Sequence, residues 1–314
     1  MSQLAGWWLE SRIGVRATTR ARDESIVRNH LVTSLGYLRL ADLTFEHVQG
    51  WVGDLEASGL RPATVRKAHQ IFGQMLDQAV RARRLRWNPA RGVELPKFSP
   101  PDQRQFLIPV EVELLAATIE PRYKALVLLA AYSGVRWGEA TALRVEDFDF
   151  LRRSVTIQRT LTEVGGHLTT NPPKTARSIR RISLSPFLVE AIAAHLSQWP
   201  ADRDRLVFTA PEGGPLRRSN FRRRFWKPAI EKVGFGTFNF HGLRHSHASM
   251  LIAEGENPKV IADRMGHASP NVTLAVYSHL FPGLDIAAAD RLETTRAKAL
   301  TDPTRTQGEV TVAT

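Results

Sequence analysis

Residues 241–280 read HGLRHSHASMLIAEGENPKVIADRMGHASPNVTLAVYSHL. The spacing predicts three helices here, and they carry His241, Arg244, His245, His267 and Tyr277. His241 and Arg244 stand three apart, so on a helix they share a face, where a neutral imidazole and a fixed guanidinium converge on one anionic group. Tyr277 follows in VTLAVYSHL, a short apolar helix whose other bulky residues look inward. A bare HxxR pattern recurs by chance and is usually a solvated face. The weight rests on the ordered set.

That set has upstream members. Arg136 and Glu139 lie in YSGVRWGEATALRVEDFDF (132–150), and Lys174 lies in NPPKTARSIRRISLS (171–185). In this order and spacing the chain resembles the tyrosine recombinase (phage integrase) family from about residue 105 to residue 282, and more weakly over its N-terminal third. The resemblance implies a mainly α fold with a small antiparallel β-sheet: a helical DNA-clamp domain followed by a mixed α/β catalytic domain. It also implies a site of two arginines, a lysine, two histidines and a nucleophilic tyrosine around one DNA phosphate. On this chain those are Arg136, Lys174, His241, Arg244, His267 and Tyr277, with Glu139 orienting Arg136.

The composition agrees with a polyanionic partner. Lys and Arg total 43 against 31 acidic residues, a formal net charge of +12, which favours nucleic acid. There is no cysteine, so disulfides, thiolate catalysis and Cys-based zinc sites are excluded. The opening MSQLAGWWLESRIG lacks the pattern of a signal peptide, and the longest apolar run, ALVLLAAY, is far too short to cross a bilayer. The chain is expected in the cytoplasm, away from membranes.

From Leu4 to about Pro96 the pattern is helical, with four helices expected. Thr44 is the N-cap expected for FEHVQGWVGDLEAS, and Pro62 opens the helix ATVRKAHQIFGQMLDQAVRARRL. In that helix Val65, Ala68, Phe72, Met75, Leu76 and Ala79 form one core stripe. Arg66, Lys67, Arg81, Arg83 and Arg84 lie opposite, as either a solvated face or a DNA contact. VELPKFSPPDQRQFLIP has four prolines and little periodicity, so it reads as an interdomain linker. The expected division is a helical, SAM-like DNA-binding domain at 1–97, a linker at 98–108, a catalytic domain at 109–283, a C-terminal helix at 284–300 and a disordered tail at 301–314.

Beyond the linker come two helices, VEVELLAATIE and RYKALVLLAAYS, the second ending at Gly134, the expected C-cap, so Arg136 just beyond it is rigidly mounted. SVTIQRTLTEV, GHLTTNPPK and SIRRISLS alternate as strands of one small antiparallel sheet, with Lys174 in the turn between the second and third. The helix PLRRSNFRRRFWKPAIEKVG is studded with Arg217, Arg218, Arg222, Arg223 and Arg224. This cluster and Asn220 are the best candidates for backbone and base contacts. LDIAAADRLETTRAKAL is one more helix, which either packs on its own domain or docks on a neighbouring protomer.

The chemistry follows from these residues. Tyr277 attacks a phosphodiester, Arg136 and Arg244 hold the non-bridging oxygens, and Lys174 protonates the leaving 5′ oxygen. His241 and His267 either orient the phosphate or carry the tyrosine proton. The phosphotyrosine bond keeps the energy for resealing, so no metal, ATP or other cofactor is expected; GFGTFN only imitates a dinucleotide fingerprint. The expected partners are double-stranded DNA at specific sites, three further protomers in a synapsed homotetramer, and accessory DNA-bending or directionality proteins. Three rivals remain: a metal nuclease using His241, His245, His247 and His267 or Glu146, Asp147 and Asp149; a catalytically silent helical DNA-binding protein; and a type IB-like topoisomerase.

Overall fold

The computed structural model describes residues 1–97, 106–173, 178–267, 269–271, 274 and 284–301, with side chains of the last helix from 289 onward. The chain divides into two compact units, Met1–Gln103 with Thr162–Thr169, and Arg104–Leu161 with Thr170–Thr314.

The first unit is built on helices α1 (Ser2–Ser11), α2 (Ala17–Ile26, running on through Val27–Val32 and Thr33–Leu35), α3 (Phe45–Ala57) and α4 (Pro62–Arg81). Local chemistry sets their starts. Thr44 Oγ1 accepts the His47 N–H at 3.4 Å, while the Thr44 N–H donates to His47 Nδ1 at 3.2 Å, so histidine fills the usual Glu/Gln place of a capping box. Pro62 opens α4, where its missing N–H costs nothing. The stripe Val65, Ala68, Phe72, Met75, Leu76 and Ala79 is buried, joined by Ile71. Phe72 meets Trp51 of α3 edge to face at 5.2 Å, and the Trp51 indole N–H donates to the His30 carbonyl at 2.7 Å. A buried indole thus keeps its polar atom satisfied.

In the second unit, α5 (Pro109–Thr118) packs on α6 (Lys124–Ser133), whose run from Ala125 to Ala131 is buried on every side. A helix apolar all round belongs at the centre of a core. A four-residue helix, α7 (Trp137–Ala140), follows. Along the chain strands β1 (Phe148–Asp149), β2 (Ser154–Ile157), β3 (Thr160–Val164), β4 (His167–Asn171) and β5 (Arg180–Ser183) come next, Thr162–Thr169 of β3 and β4 being the segment that groups with the first unit. They are followed by α8 (Pro186–Gln198), α9 (Arg218–Phe221, continuing through Arg222–Trp226 and Lys227–Val233), α10 (Phe240–Ala253), α11 (Pro258–Met265) and α12 (Leu284–Thr301).

The strands differ from the single sheet expected. They form a three-stranded antiparallel sheet in the order β1-β2-β5 and a separate hairpin β3-β4. The run SVTIQRTLTEV therefore breaks at Gln158 and Arg159. Both side chains turn to Asp147, Gln158 Nε2 donating to Oδ1 and Arg159 Nη1 to Oδ2, each at 2.7 Å. Ahead of the break, Val155 pairs with Ile182, and both are buried along with Ile157. The two-residue strand β1 was not anticipated. Among the described residues no helix is long and apolar enough to cross a membrane.

Candidate active site

Helix α6 ends because Gly134 adopts φ +68°, returning its N–H to the Ala130 carbonyl at 3.1 Å. Two residues on, Arg136 caps α7. The Glu139 carboxylate folds back onto it, accepting the Arg136 N–H at Oε2 (2.9 Å) and guanidinium Nη1 at Oε1 (2.8 Å). Glu139 is 4% exposed, so its charge requires compensation. Burial alone would push its carboxyl pKa up. The hydrogen bond and charge of Arg180, then the charge and N–H of Arg136, instead hold it below the ordinary carboxylate value.

Helix α10 starts at Asn239, whose Oδ1 accepts the His241 N–H at 2.9 Å and the Gly242 N–H at 3.3 Å. Arg244 lies one turn further in and is buried, donating from Nη1 to the Gly134 carbonyl and from Nη2 to the Met265 carbonyl. His241 shares the helix but is exposed, its ring edge to face with His245 at 5.0 Å. The two residues therefore occupy one helix at different depths.

The third contribution comes from the end of α11. Gly266 has φ +62°, and the His267 N–H reaches back to the Ala262 carbonyl at 2.9 Å, closing a Schellman-type turn. The Gly266 carbonyl accepts Arg136 Nη2 at 3.1 Å. His267 is half-buried beside these cations. Burial first, then Arg244, Arg136, Arg180 and His245, lower its pKa to about 4, so its imidazole is neutral at physiological pH.

Arg136, Arg244 and His267, distant in sequence, thus meet at the Met265–Gly266 turn. Arg180, the first residue of β5, completes the group by donating to Glu139 Oε1 and Oε2 at 3.2 and 2.9 Å. It had no site role in the sequence reading. The available signal was alternation: Arg180 shares the inward strand face of Ile182, where a charged residue needs a buried partner. Arg136 and Arg180 share the Glu139 carboxylate, while Arg244 is held by backbone carbonyls. Three guanidinium groups thus stand against one carboxylate, an excess of positive charge suited to an anion.

Lys174 and Tyr277 lie outside the described residues. Of the DNA-contact candidates, Arg218, Asn220, Arg222 and Arg223 are exposed on or beside the first turns of α9, while Arg217 is half-buried at its start. Arg224 is also exposed but pairs with Glu212 at 3.4 Å. In the first unit, Arg66 donates from Nε to the Pro96 carbonyl at 2.9 Å, and Lys67 Nζ donates to Gln70 Oε1 at 2.9 Å. The acidic run invoked for a metal nuclease is engaged by arginines: Arg159 holds Glu146 (2.6 Å) and Asp147 (2.7 Å), and Arg181 holds Asp149 (3.0 Å).

Two family descriptions match the chain: the phage integrase family over residues 105–283, and the phage integrase N-terminal SAM-like domain over residues 2–55. The ICEBs1 integrase of Bacillus subtilis is 26% identical over 289 residues, spanning 85% of this chain and 75% of the relative. A XerC-like tyrosine recombinase of Caldanaerobacter subterraneus is 23% identical over 312 residues, spanning 90% and 79%. Among solved structures, the Tn1549 transposon integrase in complex with transposon right end DNA superposes with a TM-score of 0.80 at 20% identity, covering 93% of this chain and 98% of that one. That likeness is one of fold. The family match and the sequence relatives together define an enzyme that cuts and rejoins DNA strands at specific sites. The chain belongs to the phage integrase family of tyrosine recombinases.

Proposed function

We propose that Tyr277 attacks a DNA phosphodiester in a pocket formed by Arg136, Lys174, His241, Arg244 and His267. The tyrosine oxygen bonds to phosphorus as the bond to the 5′ oxygen breaks, leaving a 3′-phosphotyrosine and a free 5′ hydroxyl. An incoming 5′ hydroxyl reverses the step and restores the phenol, so the exchange needs neither ATP nor a metal. The observation that carries this reading is the meeting of Arg136, Arg244 and His267 at one turn, with more cationic than anionic charge. Arg136 and Arg244 oppose the charge that develops on the non-bridging oxygens. His267, as a neutral imidazole, either accepts the phenol proton or donates a hydrogen bond to the phosphate, and His241 fills the other of these roles. Glu139 orients Arg136.

Residues 1–97 and 109–283 serve as a DNA clamp and a catalytic domain joined through 98–108, closing on a duplex that neither encircles alone. Arg217, Arg218, Asn220, Arg222, Arg223 and Arg224, with Arg66 and Lys67 in the clamp, supply contacts to the duplex. Exchange between two duplexes requires four cleavages, hence four protomers on paired sites, with α12 as the coupling element. Residues 289–301 of that helix are exposed, including Leu292 and Leu300. Accessory DNA-bending or directionality proteins bias the outcome, and the work is done on cytoplasmic DNA.

The test of the pocket's division of labour is a substrate with sulfur at the 5′ bridging position. Sulfur leaves without a proton, so Lys174→Ala is expected to be slowed severely on ordinary DNA and largely restored on the sulfur substrate. Arg136→Ala is expected to show no such restoration, because the non-bridging charge is unchanged. Equal responses of the two variants would make Lys174 a phosphate-binding cation only.

A further inference from the structure

Arg180 is the least exposed charged group at the Arg136 turn apart from Glu139 and Arg244, and the mechanism above gives it no task. Its guanidinium has five N–H donors, of which four are committed among the described residues. Nε donates to the Arg264 carbonyl at 2.7 Å, Nη1 to the Ser178 carbonyl at 3.1 Å and to Glu139 Oε1 at 3.2 Å, and Nη2 to Glu139 Oε2 at 2.9 Å. Its side chain is 7% exposed, against 38% for Arg136. Arg136 spends one hydrogen of each terminal nitrogen, on Glu139 and on the Gly266 carbonyl, and the rest of its fork makes no further hydrogen bond among the described residues. One arginine is consumed by the protein while its neighbour is held open.

The two are joined through the carboxylate. Each Glu139 oxygen accepts one hydrogen bond from Arg136 and one from Arg180, so Glu139 bridges them. The second anchor of Arg136 is the Gly266 carbonyl, and Arg180 packs directly on that residue: a Cβ built on Gly266 would lie 3.0 Å from Arg180 Nη1 and 3.2 Å from its Cζ. Arg180 therefore touches both groups that aim Arg136. Without it, a buried carboxylate would keep half its hydrogen bonds and lose half its counter-charge, and would draw Arg136 inward to compensate.

We propose that Arg180 is a positioning residue for strand cleavage, sharing Glu139 and bracing Gly266 so that the Arg136 guanidinium faces the scissile phosphate. The proposal rests on the reading that Arg136 acts on that phosphate. It assigns Arg180 no contact with DNA, which separates it from the arginines that bind the phosphate themselves.

A double-mutant cycle on the full chain tests it, using Arg136→Ala, Arg180→Ala and the pair, with single-turnover cleavage of saturating DNA, duplex affinity and thermal melting measured for each. Arg180→Ala is expected to slow cleavage about 100-fold, the usual consequence of a misaimed catalytic group, with duplex affinity essentially unchanged. Because Arg180 acts through Arg136, the pair is expected to be no slower than Arg136→Ala alone, to within about twofold. Multiplying losses, a near-normal rate for Arg180→Ala, or parallel loss of affinity and cleavage would overturn the proposal. A normal rate for Arg136→Ala would instead remove the reading beneath it. Should Arg180→Ala fail to fold, Arg180→Lys keeps the charge but cannot bridge both carboxylate oxygens and brace Gly266. It is expected to cleave slowly at unchanged affinity, and a wild-type rate would contradict the proposal.

Discussion

Arg244 donates a hydrogen bond to the carbonyl of Gly134, the left-handed residue that ends α6 two positions before Arg136. One arginine of the pocket thus holds the turn that presents the other. The same turn has no space for a side chain: a Cβ at Gly134 would meet His247 Cδ2 at 2.6 Å. Gly134→Ala is therefore expected to cost about 2–4 kcal/mol, from the left-handed backbone and overpacking together, read as a lower urea midpoint. Its cleavage rate should fall further than its residual stability explains, since both arginines hang on this turn. An unchanged midpoint would contradict that geometry.

The buried His247 and half-buried His267 imidazoles give the fold a pH signature. Burial, followed by neighbouring arginines, lowers His267 to about 4 and His247 to about 3. In the unfolded chain both titrate near the ordinary value of about 6.5. Between these values the unfolded state binds more protons, so stability falls as pH falls. The loss should begin near pH 6.5 and continue toward about 4 for His267 and about 3 for His247. The slope is at most about 1.4 kcal/mol per pH unit for each imidazole, and less for half-buried His267, which water partly screens. Denaturant midpoints from pH 7 to pH 5, with the His267 ring titrated by NMR, check both the sign and the site. A His267 midpoint between 6 and 7 would remove the claim that it works as a neutral base or donor.

Binding should be dominated by counterion release, so affinity falls steeply with salt, by about 0.9 in the logarithmic slope for each phosphate contact. Arg222 and Arg223 are exposed, whereas Arg224 is shared with Glu212. Replacing Arg222 and Arg223 with Ala is expected to flatten the slope by nearly two contacts, and Arg224→Ala by less than one. An unchanged slope for the double variant would make the cluster a bystander.

Features fixed by neighbouring residues were legible in the sequence. The stripe of α4, the Thr44 cap, Pro62 at a helix start and the stop at Gly134 all follow from chemistry within a few positions, and Glu139 sits one helical turn from Arg136. What was not legible depends on distant partners. The strand predicted through Gln158 and Arg159 breaks because both reach Asp147, which the local alternation does not encode. Arg180 looks like one more basic strand residue until Glu139, 41 positions away, is placed against it. His241 and Arg244 were correctly set on one helix, yet only tertiary packing makes one exposed and the other buried. Lys174 and Tyr277 keep their proposed roles from the resemblance and the chemistry alone.

The central claim is that Tyr277 becomes covalently joined to a DNA 3′ phosphate. Incubating the full chain with a nicked substrate that cannot be resealed, then digesting and analysing the peptides by mass spectrometry, tests it directly. The account predicts a nucleotide-modified peptide carrying the phosphate on Tyr277, formed with EDTA present, and no adduct from Tyr277→Phe, which should still bind the duplex. An adduct on another residue, or an adduct that persists in Tyr277→Phe, would contradict it.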